Sequence, residues 1–362
     1  MGAPLVSIIM PCYRVAKDLP AAIRCVQAQT VTNWELIAVD DGSPDRVGAI
    51  LEAAAERDTR IRKLCHEKNR GLSAARNTGL AAARGSFIWM PDPDDCYDPD
   101  FLELALAELT TDDAPDLAIF GYTEVLVDEA GNQQASRAIL PATVGTYAGA
   151  ELHALVLGLE EATLLGFAWN KVYRRDVLRD LLFEDAPLIE DILFNIAVLD
   201  RAHAACLLRN APYHYAKRVP AALSGKSLTG RFEPAYFDLH YRRVQELYNQ
   251  QRRWGLDGAD TRARLGVRLT RYIMSALERN CDPRSGMSAS ERLAWARKVR
   301  NDPLVVLLVR AATGKGGRLA RWANLLVRLG EPHLMLLTGR VLHVMRTRAA
   351  RGFGAVIREE VG

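Results

Sequence analysis

No two cysteines in this sequence stand in a C-x-x-C pair. The six, Cys12, Cys25, Cys65, Cys96, Cys206 and Cys281, are scattered along the chain. That spacing offers no zinc framework and no disulfide scaffold, so they read as reduced core residues. A long apolar run is also missing, so no segment reads as a membrane span. The start, Met1-Gly2-Ala3-Pro4-Leu5, has neither the basic stretch nor the apolar core of a signal peptide. Together these lead us to expect a protein that faces the cytoplasm. Charge of one sign is scarce overall: the formal net charge is +3, which argues against a nucleic-acid binder. The early chain has no Gly-rich phosphate loop carrying basic residues, and PCYRVAKD is not one, which counts against a nucleotidyltransferase. What is present is ordinary for a globular protein. The 362 residues are 49% hydrophobic and 25% charged, enough for a sizeable core and for two domains.

The stretch that organises the rest is Phe87 to Asp95, FIWMPDPDD. Its apolar half reads as a buried strand. Proline cannot continue a central strand, so Asp92, Asp94 and Asp95 fall on the loop where that strand leaves the sheet. Ligands of open α/β sheets bind there. Mg²⁺ often takes one or two carboxylates plus substrate phosphates, so an Asp-x-Asp at a strand end suits a metal–diphosphate site. Alone, the same residues also describe a solvated turn.

Three further elements precede it. Leu5 to Met10 reads as a strand ending at the loop Pro11-Cys12-Tyr13-Arg14. Trp34 to Val39 reads as a strand ending at Asp40-Asp41-Gly42-Ser43, and Ile61 to Leu64 as a third. Helices read from Leu19 to Ala28, Asp45 to Arg57 and Gly71 to Arg84, the last with Ser73 as a capping candidate. The alternation calls for an α/β fold, a mostly parallel sheet with helices on both faces. The polar strand ends then share one edge. There Tyr13 suits stacking on a base and Asp41 suits accepting from a base N–H.

VSIIMPCY, VDDGSPD and NRGLSAARNTGLAAARGSFIWMPDPDD, in that order, resemble the family 2 glycosyltransferases of the GT-A fold. The likeness is close over roughly the first hundred residues and looser to about residue 225. It implies a nucleotide-diphosphate sugar donor, a divalent metal (Mn²⁺ or Mg²⁺) and inversion at the anomeric carbon. By the same resemblance, Pro11, Tyr13 and Asp41 hold the nucleoside, and Asn69 and Arg76 line the base and phosphate side. Asp92 contacts the ribose or the outer shell of the metal, and Asp94 ligates it. Two departures stand out: Arg14 where the family often has Asn, and Pro93 where it often has Ser or Ala.

Leu117 to Val127 reads as one alternating strand and Tyr147 to Leu159 as a helix. FAWNKVYRR, Phe167 to Arg175, resembles the family segment behind the acceptor site. At LIEDILF, Glu190 and Asp191 open an apolar helix. Acids in a first turn are favoured by the helix dipole, which suffices as a plain reading. The resemblance makes Asp191 the general base and Glu190 its support. Arg218 and Ser224 resemble the strand and loop that close over the donor, with Arg218 stabilising the leaving diphosphate.

Past about residue 230 only helical patterns remain, so the expected domains are 1–230, nucleotide-sugar-binding and catalytic, and 231–362, mostly helical. From Asn301 onwards ten basic residues face four acidic ones, a charge of +6 that leaves −3 for the rest. Two readings stay open for this segment. One is a peripheral contact with the inner face of the cell membrane, and the other is a helical subdomain with a solvated basic face. The expected activity is transfer of a sugar, UDP-linked by resemblance alone, to a hydroxyl of a glycan or lipid-linked glycan in cell-envelope polysaccharide synthesis. The alternatives are a non-catalytic module of the same fold and a sugar nucleotidyltransferase.

Overall fold

A computed structural model describes residues 2–111, 113–128, 133–218, 232–315 and 317–348. The chain divides into two compact units, Met1–Arg231 and Phe232–Gly362.

The first unit is built on an eight-stranded sheet. Its leading strands are β1 (Val6–Cys12), β2 (Trp34–Asp40), β3 (Ile61–Cys65) and β4 (Phe87–Trp89). They pair in parallel in the order β3-β2-β1-β4. Every residue of β1 and β2 is buried, which is why both read as mostly apolar runs rather than alternating ones. Between them run α1 (Leu19–Gln27), α2 (Val47–Arg57) and α3 (Leu72–Ala82). The sheet continues through β10 (Lys171–Arg174), antiparallel to both β4 and β6 (Leu117–Phe120), and then β11 (Ala204–Leu208) and β9 (Gly145–Ala148). A smaller four-stranded sheet holds β5 (Cys96–Tyr97), β12 (Tyr213–Arg218), β7 (Tyr122–Val127) and β8 (Gln133–Ile139), in that order. The helices α4 (Phe101–Leu109) and α5 (Gly149–Glu161) precede α6 (Glu190–Arg201), which leads into β11.

Four local expectations are corrected. Pro11 lies inside β1, paired opposite Val39, not in a loop after it. This is tolerated because β4 pairs β1 only from Val6 to Ile8, so at Pro11 the strand has β2 alone beside it. Leu117–Val127 is two strands in two different sheets, broken at Gly121. A Cβ there would sit 2.6 Å from the Ile139 carbonyl oxygen, so only glycine lets the chain change sheets so tightly. Ser73 caps nothing: its hydroxyl donates to the Glu184 carbonyl at 2.7 Å, and Gly71 is the N-cap of α3. Finally, only Cys12 and Cys206 are buried, while Cys65 and Cys96 are exposed. Cys25 and Cys96 bring their sulfurs to 3.4 Å, as free thiols.

Glu35 fastens the edge of this sheet opposite the strand ends. It is buried in β2 and accepts from the Ser7 hydroxyl at 2.7 Å, Arg62 Nη1 at 2.7 Å, Arg84 N–H at 2.9 Å and Arg84 Nη2 at 2.7 Å. Burial alone would raise its pKa, but these donors outweigh it and hold the carboxyl at about 2. A carboxylate depressed from 4.5 to about 2 adds stability that is present above pH 4.5 and is lost as pH falls through about 2. Glu35→Gln should therefore lower unfolding free energy by about 3 kcal/mol at pH 7. In urea melts of both proteins that gap should narrow steadily from pH 4.5 towards 2. A gap that stays constant with pH would mean that the charge of Glu35 is not what stabilises it.

The described residues of the second unit form helices only, at Tyr236–Arg253, Ala259–Asn280, Ala289–Asn301, Pro303–Ala311, Arg318–Leu329 and Pro332–Arg348, with one 3₁₀ turn at Pro283–Ser285. Ala289–Asn301 opens on a capping box, with Ser288 and Glu291 bonding each other's backbone. None of the described helices is long and apolar enough to cross a membrane.

Candidate active site

The carboxyl ends of β2, β1 and β4 lie side by side, and the chain places an acid or an aromatic at each. After β2 the chain turns through Asp41, which is buried. Its Oδ1 meets His66 Nδ1 at 2.6 Å and accepts from Arg70 N–H at 2.9 Å. Its Oδ2 accepts from Gly71 N–H and Asn69 Nδ2, both at 2.9 Å. Two carboxylate oxygens offer about four lone-pair sites, so all are taken. A base N–H reaching Asp41 would have to share an oxygen with one of these donors or displace it. Its visible task is to fix the loop 66–71 that delivers the chain into α3. His66 completes the clamp through Nε2, 2.9 Å from the Thr78 hydroxyl. Nothing in the sequence marked that histidine.

Arg76, on α3, is the centre of the site. It is 1% exposed, and its guanidinium donates through Nη1 to Asp191 Oδ1 and through Nη2 to Asp92 Oδ1 at 3.1 Å. Burial opposes its charge, but Asp191, Asp92 and Glu190 overcome that and raise its pKa further. Asp191 stands in the first turn of α6, and its Oδ2 accepts from Ala168 N–H at 3.0 Å. Residues 115 positions apart are thus joined, and one guanidinium spans the gap between Asp191 and the β4 strand end. Glu190 is half-buried, and its Oε2, itself buried, lacks a hydrogen-bond partner among the described residues. Burial first, then the Asp191 charge, raise its pKa.

The three acids after Pro91 divide their work. Asp95 is buried; it accepts from the Tyr213 hydroxyl at 2.8 Å and from Ala216 N–H at 2.9 Å, which pins the loop to β12. Tyr213 in turn accepts from Asp92 N–H at 3.0 Å. Asp92 is left half-buried and Asp94 exposed. Tyr13 is also exposed, with the Arg14 guanidinium 5.3 Å from its ring centre. Arg14 has φ of +56°, a region Asn enters more readily than Arg, which accounts for the usual residue at that position. Asn69 is exposed but tied to Asp41, and Pro11 is buried. Arg218 ends β12 by its backbone; its side chain, and all of Ser224, lie outside the described residues.

A second clamp escaped the sequence reading. Lys171 is fully buried in β10, and its ammonium donates to the carbonyls of Leu164 (2.8 Å), Leu165 (3.2 Å) and Phe167 (2.5 Å) and to Asn170 Oδ1 (2.8 Å). Burial lowers its pKa to about 7, against the pull of Asp191 and Glu160. Asn195, one turn along α6 from Asp191, donates to the Leu165 and Phe167 carbonyls at 2.9 and 3.0 Å. Together they hold the segment whose next residue, Ala168, presents its N–H to Asp191. Phe167, Trp169 and Tyr213 stack beside it, with ring centres 4.5 and 4.2 Å apart. The signal available was a lysine set between the apolar residues Phe167 to Trp169 and Val172-Tyr173.

The residues present fit a hard divalent cation. Every candidate donor is a carboxylate oxygen, the type Mg²⁺ and Mn²⁺ favour. Acid is also in excess around Arg76. Burial raises Asp92, Arg76 draws it down, Asp94 and Asp191 push it up again, and the balance is about 7. Among the described residues no group of three or more His, Cys, Asp or Glu side chains is placed to hold a metal ion.

Residues 7–182 match Glycosyl transferase family 2. Most of the first unit is thus a family 2 glycosyltransferase domain. EpsH of Bacillus subtilis is 32% identical over 220 residues, which cover 59% of this glycosyltransferase and 61% of EpsH. EpsJ of the same organism, described as an uncharacterized glycosyltransferase, is 29% identical over 350 residues, 92% of this chain and 94% of EpsJ. The chain thus spans less than two thirds of EpsH and nearly all of EpsJ. Residues 1–349 of S. aureus TarS, crystallised with UDP-GlcNAc, share the fold at a TM-score of 0.61 and 18% identity, over 95% of this chain and 91% of that one. The architecture is therefore GT-A, followed by a helical region.

Proposed function

We propose that this glycosyltransferase moves a sugar from a UDP-sugar to a hydroxyl of a glycan or lipid-linked glycan, with inversion, in polysaccharide assembly. One observation carries the reading: Arg76 holds Asp191 and Asp92 on a single guanidinium. A base and a diphosphate-binding strand end are thereby set close enough to flank one anomeric carbon. UDP is favoured because the TarS crystals contain UDP-GlcNAc or UDP. The first unit does this chemistry.

In the reaction, Asp191 takes the proton of the acceptor hydroxyl. That oxygen forms a bond to the anomeric carbon as the bond from carbon to the diphosphate breaks on the opposite face. Arg76 and the Ala168 N–H keep the Asp191 carboxylate aimed. Glu190 supports it from the adjacent position, and Phe167 and Tyr215, both half-buried, offer an apolar wall to the acceptor ring. Tyr13 stacks on the base above the loop that Asp41 and Asn69 hold. Asp94, with Asp92 beside it, would hold a divalent cation, which when bound offsets the charge of the leaving diphosphate.

Calorimetric titration of UDP, GDP, CDP and dTDP, each with and without Mn²⁺, tests this. UDP should bind, at least about tenfold more tightly with Mn²⁺, a difference of about 1.4 kcal/mol. Preference for another nucleotide would overturn the donor assignment. Absence of all binding by the folded protein would overturn the whole reading.

A further inference from the structure

The second unit carries an apolar face that its own packing leaves outside. In the helix Arg318–Leu329, Ala323, Leu326 and Val327 turn inward, and the buried Asn324 donates to the Val309 carbonyl at 2.8 Å. The opposite side shows Trp322, Leu325 and Leu329, spaced as one helical stripe, with Arg321 and Arg328 exposed beside them. The next helix, Pro332–Arg348, repeats the pattern. Met335 and Thr338 are buried, while Leu337, Val341, Val344 and Met345 face out around an exposed Arg340. These seven apolar side chains are between 43 and 61% exposed.

The second of these helices cannot roll to hide its outer residues. A Cβ on Gly339 would come within 2.5 Å of the Leu277 carbonyl oxygen, so Pro332–Arg348 lies as close to Ala259–Asn280 as backbones allow. Its inner face is committed, and its outer one is left for something else.

We propose that this face docks on an anionic phospholipid surface. Between Pro303 and Arg348 the sequence has eight basic residues and a single acid, Glu331. Arginines flanking an apolar stripe suit a headgroup layer, because their stems lie along the apolar boundary while the guanidinium stays with the phosphates. Trp322 adds the side chain best suited to such a boundary, apolar in body with one polar N–H. A second copy of this chain is the weaker occupant, since a self-complementary contact would bring Arg321, Arg328 and Arg340 against their own kind. The contact is lateral, since no described helix is of a kind to span.

The test is co-sedimentation of the full-length protein with vesicles of phosphatidylcholine alone or with about one third phosphatidylglycerol. Two variants are compared: Trp322→Ser/Leu325→Ser/Leu329→Ser, and Arg321→Glu/Arg328→Glu/Arg340→Glu. The wild type should sediment with the anionic vesicles and lose most binding in high salt. Each variant should bind at least tenfold more weakly. Failure of the wild type to bind, equal binding to neutral vesicles, or unchanged binding by both variants would overturn the proposal. So would a wild type that is dimeric by light scattering and becomes monomeric in the serine variant without vesicle binding in either. UDP binding read in the same samples separates the two assignments. Its loss in all three proteins counts against the donor reading alone, and its retention in a variant that has left the vesicles shows that the fold is intact.

Discussion

Asp191→Asn should lower the turnover rate about 10³-fold or more while UDP binds within about threefold of wild type. General-base catalysis by a positioned side chain is worth about 10² to 10⁴ in rate, and an amide cannot take the proton. The substitution is nearly isosteric. An Asn oxygen can still accept from Ala168 N–H, now made at 3.0 Å, so the segment 164–168 should keep its place. The change therefore separates chemistry from binding. Single-turnover transfer, followed by UDP release, measures the first, and calorimetry the second. Transfer within about tenfold of wild type would mean that another group takes the proton. Glu190 is the next to examine, since it is half-buried one residue away with a buried oxygen that has no partner among the described residues.

The parts of this site that were legible share one property: their evidence is local. FIWMPDPDD shows a strand, its end and its acids within nine residues. The β1 and β2 runs show burial on both faces, which announces a parallel sheet before any pairing is known. The polar strand ends followed from topology alone. What was not legible is what partners those acids. Arg76 and Asp191 are 115 residues apart, and Tyr213 and Asp95 are 118 apart. No periodicity links such positions. Arg76 therefore read as a residue facing the donor's base and phosphates, although it is buried and bridges two carboxylates. Asp41 read as an acceptor for ligand because its four donors come from a loop 25 to 30 residues on. Lys171 was hidden differently. A lysine beside apolar residues is normally discounted as an edge residue, and only the three carbonyls of 164–167 explain its burial. The break at Gly121 was missed because alternation runs straight through it, while the two halves join different sheets.

The same burial makes Arg76 the residue whose loss should be felt most by the fold. Arg76→Leu should destabilise the first unit by about 3–5 kcal/mol, the usual result of deleting one partner of a buried charge pair. For a unit of this size that is a fall in melting temperature of about 10 °C, measured by calorimetry. Leucine fills much of the same space, so the loss would come from charge rather than from a cavity. Asp191 and Asp92 would be left facing each other, with Asp94 and Glu190 nearby, in surroundings that already raise Asp92 and Glu190. Arg76→Lys should recover only part of the loss, because one ammonium cannot repeat a planar two-carboxylate contact. The double variant Arg76→Leu/Asp191→Asn supplies the decisive comparison. If the arginine serves to neutralise the acids, removing one acid should return about 1–3 kcal/mol, and the two substitutions will not add. Strict additivity, or an Arg76→Leu protein within 1 kcal/mol of wild type, would show that the carboxylates tolerate one another unaided. The charge excess would then be no argument for a cation at Asp92 and Asp94, and the case for metal would rest on the nucleotide titration alone.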